Sequence, residues 1–288
     1  MFTLFINDIT DSSPDLSFGL FADDTIVSID AINPQLAYTK MQFGLNKLCT
    51  YFSKNRLTIN YEKSLAILLH TKRPTPWPPI PILFLDQNPL KFTKSFKYLG
   101  VHITSNLSWN LHLEILRGKL SRAIFVLKRI APFILSKDIK TIYYTVFHSH
   151  LNYANLNWGH CSDSALKNIT SLQNRAFRII SYWHPTFLMS PFPPNPQTIH
   201  FKMLSILYFK FKNNLLPLDL QNRLSILNNP PSHSHNTRGK DLPPAPSLRT
   251  EYGRTRLYYQ IYSRIGKILE INEGCTTLLQ LKNKLKEI

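Results

Sequence analysis

Two adjacent carboxylates, Asp23 and Asp24, stand between the β-prone runs Leu16–Phe21 and Thr25–Ile29. That arrangement predicts a hairpin with the short polar turn Ala22-Asp23-Asp24 at its tip. Neighbouring side chains in a strand point to opposite faces. A tight turn relaxes the rule and lets one or both carboxylates reach a shared site. Carboxylate oxygens are preferred by hard divalent cations. Phosphoryl transfer uses such cations in pairs, about 3.5–4 Å apart, to clamp the attacking and leaving oxygens. Asp-Asp is also ordinary turn chemistry, so the pair by itself reads first as a structural turn. A second group, His148, His150, His160 and Cys161, has the right residue types for zinc. It lacks close ligand pairs, and a helix would point His148 and His150 about 200° apart, so no metal is assigned to it. There is no Gly-rich phosphate loop and no serine or cysteine nucleophile motif.

The elements that would position the hairpin can be read from periodicity. Met1–Ile9 is an apolar run suited to the end of a helix, and apolar residues at Leu36, Met41, Leu45, Leu48 and Phe52 predict a helix over 34–54. A short strand is expected over Ser64–Leu69. The five prolines of 71–81 exclude regular structure there. Ile82–Leu85, the turn Asp86-Gln87-Asn88-Pro89 and the run Phe96–Ile103 suggest a second small β unit. From about 110 the pattern is helical. Leu113, Leu116, Leu120, Ile124 and Leu127 form one stripe, with Lys119, Arg122 and Arg129 opposite and Pro132 as the stop. Further helices are expected over about 137–151, 163–181 (with Lys167, Arg175 and Arg178 off the apolar face), 197–213 and in the last forty residues. The stretch 228–249, which contains His233 and His235, reads as a linker.

Composition narrows the class. The 288 residues are 43% hydrophobic, enough for a real core. Lys and Arg total 34 against 17 acidic residues, a net charge of +17 spread along the chain. This favours a large polyanion, most commonly nucleic acid. Cys49, Cys161 and Cys275 are too few and too scattered for a disulfide framework and suit a reducing compartment. The start of the chain has no basic n-region, so it is not a signal peptide. No stretch is long and apolar enough to span a bilayer. Nucleus or cytoplasm is the expected location, with no membrane partner, and the two Asn-x-Ser/Thr sequences at Asn106 and Asn168 carry no meaning there.

Leu4–Ile9, Phe21-Ala22-Asp23-Asp24, Leu57–Ser64, Phe96–Val101, Trp158-Gly159 and Gln173–Arg178 follow one another in an order that resembles reverse transcriptases of non-long-terminal-repeat, jockey-like retrotransposons. Phe21-Ala22-Asp23-Asp24 is similar to the [Tyr/Phe]-x-Asp-Asp signature of that family. Leu4-Phe5-Ile6-Asn7-Asp8-Ile9 resembles the segment before it, and Leu57–Ser64 the Leu-x-Ile-Asn-x-x-Lys-Thr block after it. Phe96-Lys97-Tyr98-Leu99-Gly100-Val101 resembles the primer-grip strand. Trp158-Gly159, Gln173–Arg178 and Asn236-Thr237-Arg238 resemble the helical tail.

The resemblance implies an α+β chain: a partial palm-type antiparallel sheet with helices, then a mainly helical thumb and C-terminal region. The expected parts are a partial palm over 1–70, a Pro-rich segment with the primer-grip-like β unit over 71–109, and a thumb-like domain over 110–184. A helical extension over 185–227, a linker over 228–250 and a helical tail over 251–288 follow. In this reading Asp23 is a Mg²⁺ ligand with Asp24 a less critical neighbour, and Lys63 lies near the phosphates of the incoming nucleotide. Tyr98, Leu99 and Gly100 press on the primer. Lys119, Arg122, Arg129, Lys167, Arg175 and Arg178 hold an RNA/DNA template–primer duplex. The family also uses a further palm aspartate and a Pro-Gln-Gly stretch, both earlier than Leu4. Asp8 and Asp11 lie in the wrong block to replace that aspartate. The chain by itself is therefore expected to lack polymerase activity. The alternative expectation is a non-catalytic nucleic-acid-binding protein of retrotransposon descent.

Overall fold

The computed structural model describes residues 6–70, 81–189, 193–228 and 257–287. The first residues of the apolar N-terminal run, most of the Pro-rich stretch 71–81 and the linker with His233, His235 and Asn236-Thr237-Arg238 lie outside them. The chain is mixed α/β, largely helical with small sheets, and divides into two compact units, Met1–Ser108 and Trp109–Ile288. No described helix is long and apolar enough to cross a membrane.

In the first unit a 3₁₀ turn, Asn7–Ser12, leads to the hairpin of β1 (Ser17–Phe21) and β2 (Asp24–Ser28). Helix α1 (Pro34–Lys54) follows, with the bounds its periodicity predicts. It starts there because Asn33 Oδ1 accepts the Leu36 amide at 2.8 Å and Pro34 occupies the first turn. Six short strands complete the unit: β3 (Leu65–Ala66), β4 (Phe84–Leu85), β5 (Asn88–Pro89), β6 (Lys91–Phe92), β7 (Ser95–Tyr98) and β8 (Val101–Thr104). They pair two by two as β1–β2, β4–β5 and β7–β8, all antiparallel, and β3–β6, parallel. The core gathers Ile9 and Leu16 with Leu45 and Leu48 of α1, Ala66, Leu83 and Leu85. Phe18, Leu20 and Val27 pack against it from one face of the first hairpin.

Three local readings are corrected. The Asp86–Pro89 turn is two residues, Asp86-Gln87, both in the left-handed region with φ of 48° and 66°; Asn88 and Pro89 already pair back as β5. The strand read over Ser64–Leu69 shrinks to Leu65–Ala66, because its parallel partner β6 is itself two residues long. The strand read over Phe96–Val101 bends into a hairpin: Leu99 and Gly100, with φ of 44° and 79°, form its turn, and Val101 already pairs back with Tyr98. Positive φ at both central positions matches the twist of the flanking strands, and Gly100 adopts it without strain.

The second unit is helical. Its elements are α2 (Asn110–Ile130), α3 (Ser136–Tyr143), α4 (Ser149–Asn152), α5 (Asn155–Trp158), α6 (Asp163–Trp183), α7 (Pro196–Lys212), α8 (Leu218–Leu224), α9 (Leu257–Tyr262), α10 (Ile265–Asn272) and α11 (Leu278–Lys284). The predicted helix over 137–151 is interrupted by a π-helical stretch, Tyr144–His148, between α3 and α4. The stripe Leu113, Leu116, Leu120, Ile124 and Leu127 is buried as its spacing requires. It meets Leu166, Ile169, Ala176, Phe177 and Ile180 of α6. Tyr143 and Phe147 stack in this core with ring centroids 5.4 Å apart, and Trp158 is fully buried. Further core clusters join α7 to α8, α9 and α10, and Phe209 of α7 to α11. The last helix is fixed by a reciprocal cap between Thr277 and Gln280.

Candidate functional site

The β1–β2 register pairs Phe21 with Asp24, Leu20 with Thr25, Gly19 with Ile26 and Phe18 with Val27. The turn is therefore Ala22-Asp23, one residue shorter than the sequence suggests, with Asp24 already in the ladder. Two-residue hairpin turns demand left-handed backbone, and Ala22 supplies it at φ 50° although neither Gly nor Asn stands there. A left-handed residue with a Cβ costs roughly 1–2 kcal/mol, so the Asp-Asp tip is held by its flanking strands rather than by turn preference.

Alternation along the strands assigns the faces. Phe18, Leu20 and Val27 turn to the core. Gly19, Ile26, Phe21 and Asp24 lie on the other face, and Asp23 projects from the turn itself. Both carboxylates are exposed, as is Phe21. Among the described residues neither carboxylate is engaged in an ion pair or a side-chain hydrogen bond. The donor atoms suit a hard cation, but two carboxylates are too few to hold a pair of them. No group of three or more His, Cys, Asp or Glu side chains that could hold a metal gathers anywhere among the described residues. Asp23 in the turn and Asp24 at the first ladder position offer one or two of the six ligands that Mg²⁺ takes in octahedral geometry, the others being water or phosphate oxygens.

Of the other residues assigned a role from the sequence, Tyr98 reaches this face. Its hydroxyl lies over Gly19, where a Cβ would stand 3.9 Å from it. Tyr98 closes β7 and Leu99-Gly100 form the turn, so the strand expected to press on a primer presents a hairpin tip instead. Lys63 is exposed on a turn shaped by Asn60, whose Oδ1 accepts the Lys63 amide at 3.1 Å and whose carbonyl accepts from Ser64 Oγ at 2.8 Å. The two nearby acids from other blocks have local partners. Asp8 accepts a hydrogen bond from Tyr51 Oη at 2.5 Å, and Asp86 one from Tyr61 Oη at 3.0 Å. Burial, then the Asp8 carboxylate, pushes the Tyr51 phenol up to about 12.

In the helical unit, Arg122 and Arg129 of α2 and Lys167, Arg175 and Arg178 of α6 are exposed, and Lys119 is half-buried. Arg129 lies over the Phe125 ring, 5.3 Å from its centroid. Lys119 and Arg122 turn toward His150 of α4. Partial burial and these two cations hold that imidazole below its usual range. One acidic residue, Asp138, occurs between Glu114 and Asp163, and none between Asp163 and Asp219. The packed pair α2–α6 therefore has little of its own charge to offset these cations.

Residues of two motifs that resemble the family's helical tail pack the core. Gln173 is buried and donates from Nε2 to Tyr143 Oη (3.1 Å) and to the Pro194 carbonyl (3.0 Å). Trp158 donates from Nε1 to the Tyr153 carbonyl at 2.9 Å, and Gly159 sits so tightly on Asn155 that a Cβ would come within 2.7 Å of its carbonyl oxygen. A third packing contact escapes the sequence. His200 of α7 lies with Nδ1 3.2 Å from the Asn155 carbonyl and Nε2 2.9 Å from Gln260 Oε1 of α9. Nothing in the local pattern of three residues so far apart signals that contact.

Over 165 residues, 56% of its length, the chain is 27% identical to the probable RNA-directed DNA polymerase from transposon X-element of Drosophila melanogaster. It spans 18% of that relative. This bears out the resemblance to retrotransposon reverse transcriptases read from the motifs. No protein-family profile matches the chain, and no solved structure does.

Proposed function

We propose that this chain is part of an RNA-directed DNA polymerase of a non-long-terminal-repeat retrotransposon. In this reading β1–β2 is the catalytic hairpin of the palm and the helical unit grips a template–primer duplex. The observation that carries it is the similarity to the X-element polymerase, joined to a hairpin that presents Asp23 and Asp24 at an exposed tip. Asp23 is the metal-binding carboxylate and Asp24 its neighbour; Lys63 meets nucleotide phosphates, and the Tyr98-Leu99-Gly100 tip meets the primer. Mg²⁺, when bound in a complete polymerase site, neutralises charge on the transferred phosphoryl group. The two described carboxylates are an incomplete ligand set, so no catalytic step is assigned to this chain alone. Purified chain given template, primer, the four nucleotides and Mg²⁺ is expected to leave the primer unextended; extension abolished by Asp23→Asn would overturn that inactivity.

A second reading, a non-catalytic binder of retrotransposon descent, is favoured by the exposed cations of α2 and α6 and the scarcity of acids around them. Both readings predict duplex binding that weakens with salt, by a slope of about 0.9 per phosphate contact in B-form DNA. Arg175→Ala with Arg178→Ala is expected to lower that slope by nearly two. Asp23→Asn leaves it unchanged. Binding that is indifferent to salt would sink both readings.

A further inference from the structure

At the C-terminal ends of α2 and α6 the helical unit exposes rings that its own core does not use. Phe133 is 86% exposed, Tyr182 77%, Leu135 64% and Trp183 50%. These are not strays on separate loops. His184, the residue after Trp183, is buried between the two segments. Its Nε2 lies 2.8 Å from the Ala131 carbonyl and its Nδ1 2.9 Å from Ser136 Oγ. The short stretch bearing Phe133 and Leu135 is thus pinned at both ends to the residue that follows Tyr182-Trp183. Those two rings meet edge to face at 5.1 Å.

Large exposed apolar clusters mark interaction surfaces, and the charge around this one selects the partner. Lys128 and Arg129 of α2, Arg178 of α6 and Lys137 at the start of α3 are exposed; the neighbouring acid is Asp138, beside Lys137. Arg129 already stacks over Phe125, an exposed ring one turn before it. Exposed aromatic faces interleaved with cations fit a partner that has flat π-surfaces and negative charge in alternation. An unpaired nucleic-acid strand has both. Every base offers a face to stack on, and each linkage a phosphate, whereas a duplex hides its faces.

We infer that the C-terminal ends of α2 and α6 form a stacking platform for unpaired bases of single-stranded nucleic acid. Phe133, Tyr182 and Trp183 meet the bases, and Lys128, Arg129 and Arg178 meet the phosphates. The inference rests on the nucleic-acid reading and deepens it by naming the unpaired strand as the form held at this end of the unit.

The test uses the full chain and three labelled probes followed by fluorescence anisotropy: a thymidine oligomer, an abasic oligomer of equal length and charge, and a blunt duplex. The wild-type chain is expected to bind the thymidine oligomer tighter than the abasic one by about tenfold for each stacked base. Phe133→Ala, Tyr182→Ala and Trp183→Ala together are expected to erase that preference while leaving duplex affinity and its salt slope unchanged. Trp183→Phe keeps most of it. The wild-type comparison decides alone should the triple variant fail to melt cooperatively. Equal binding of thymidine and abasic oligomers overturns the platform while leaving duplex binding intact. So does a loss in the variant that is equal for oligomer and duplex. Absence of all nucleic-acid binding overturns the platform and the function reading together.

Discussion

The phenolic oxygen of Tyr98 lies over Gly19, on the face of the first hairpin that carries Asp24 and away from the face that packs on α1. Residues almost eighty positions apart therefore share one surface, and the contact is close without being tight. A Cβ at Gly19 would stand 3.7 Å from Ile26 Cβ and 3.9 Å from Tyr98 Oη, both ordinary packing distances. Gly19→Ala is expected to be tolerated, or to stabilise by up to about 1 kcal/mol through the unfolded chain. Gly19→Phe must displace Tyr98 and should cost about 1–3 kcal/mol. Urea unfolding of the two variants checks the pair; equal midpoints would show that Tyr98 does not cover this glycine.

Gly159 is the opposite case. A Cβ there would lie 2.3 Å from Asn155 Oδ1 and 2.7 Å from the Asn155 carbonyl, and backbone cannot swing aside as a side-chain tip can. Gly159→Ala should destabilise the helical unit by roughly 1–3 kcal/mol, read as a lower thermal midpoint with no change in the β1–β2 hairpin.

His200 sets a pH dependence. Burial first, then Arg264, pushes its imidazole down to about 4 from an ordinary 6.5; burial and Lys202 do the same to His148. In the folded chain both stay neutral down to about pH 4, whereas in the unfolded chain both take up protons below 6.5. The stability they contribute is present above pH 6.5 and drains away as the pH falls toward 4, by up to about 3 kcal/mol for each histidine. His200→Gln should remove about half of that slope. Unfolding midpoints at several pH values between 4 and 7 decide it; a flat profile counts against both burials.

Gln173 ties α6 to α3 and to Pro194. Gln173→Leu leaves the buried Tyr143 hydroxyl and a proline carbonyl without their donor, at an expected loss of about 1–3 kcal/mol. Should Gln173→Leu melt with the wild type, water replaces the amide and the clamp is not structural.

Helix bounds were legible because their signals are local. The apolar spacing from Leu36 to Phe52 marks out α1, and the Leu113–Leu127 stripe dictates which face of α2 is buried, so each follows from residues within a few turns. The order of the motif blocks likewise belongs to the chain itself, and it alone pointed to a retrotransposon polymerase. What pairs with what was decided in three dimensions. Whether Ala22-Asp23-Asp24 closes in two residues or three depends on strand register, which is set by Phe18, Leu20 and Val27 finding the core on one side. Whether Tyr98-Leu99-Gly100 is a strand or a tip depends on positive φ at Leu99, a residue with no preference for it. The join of His200 to Asn155 and Gln260, and the gathering of Phe133 with Tyr182 and Trp183 around His184, bring together residues 40 to 60 positions apart. Hydrophobic period records which way a side chain faces; only packing decides which distant side chain it meets there.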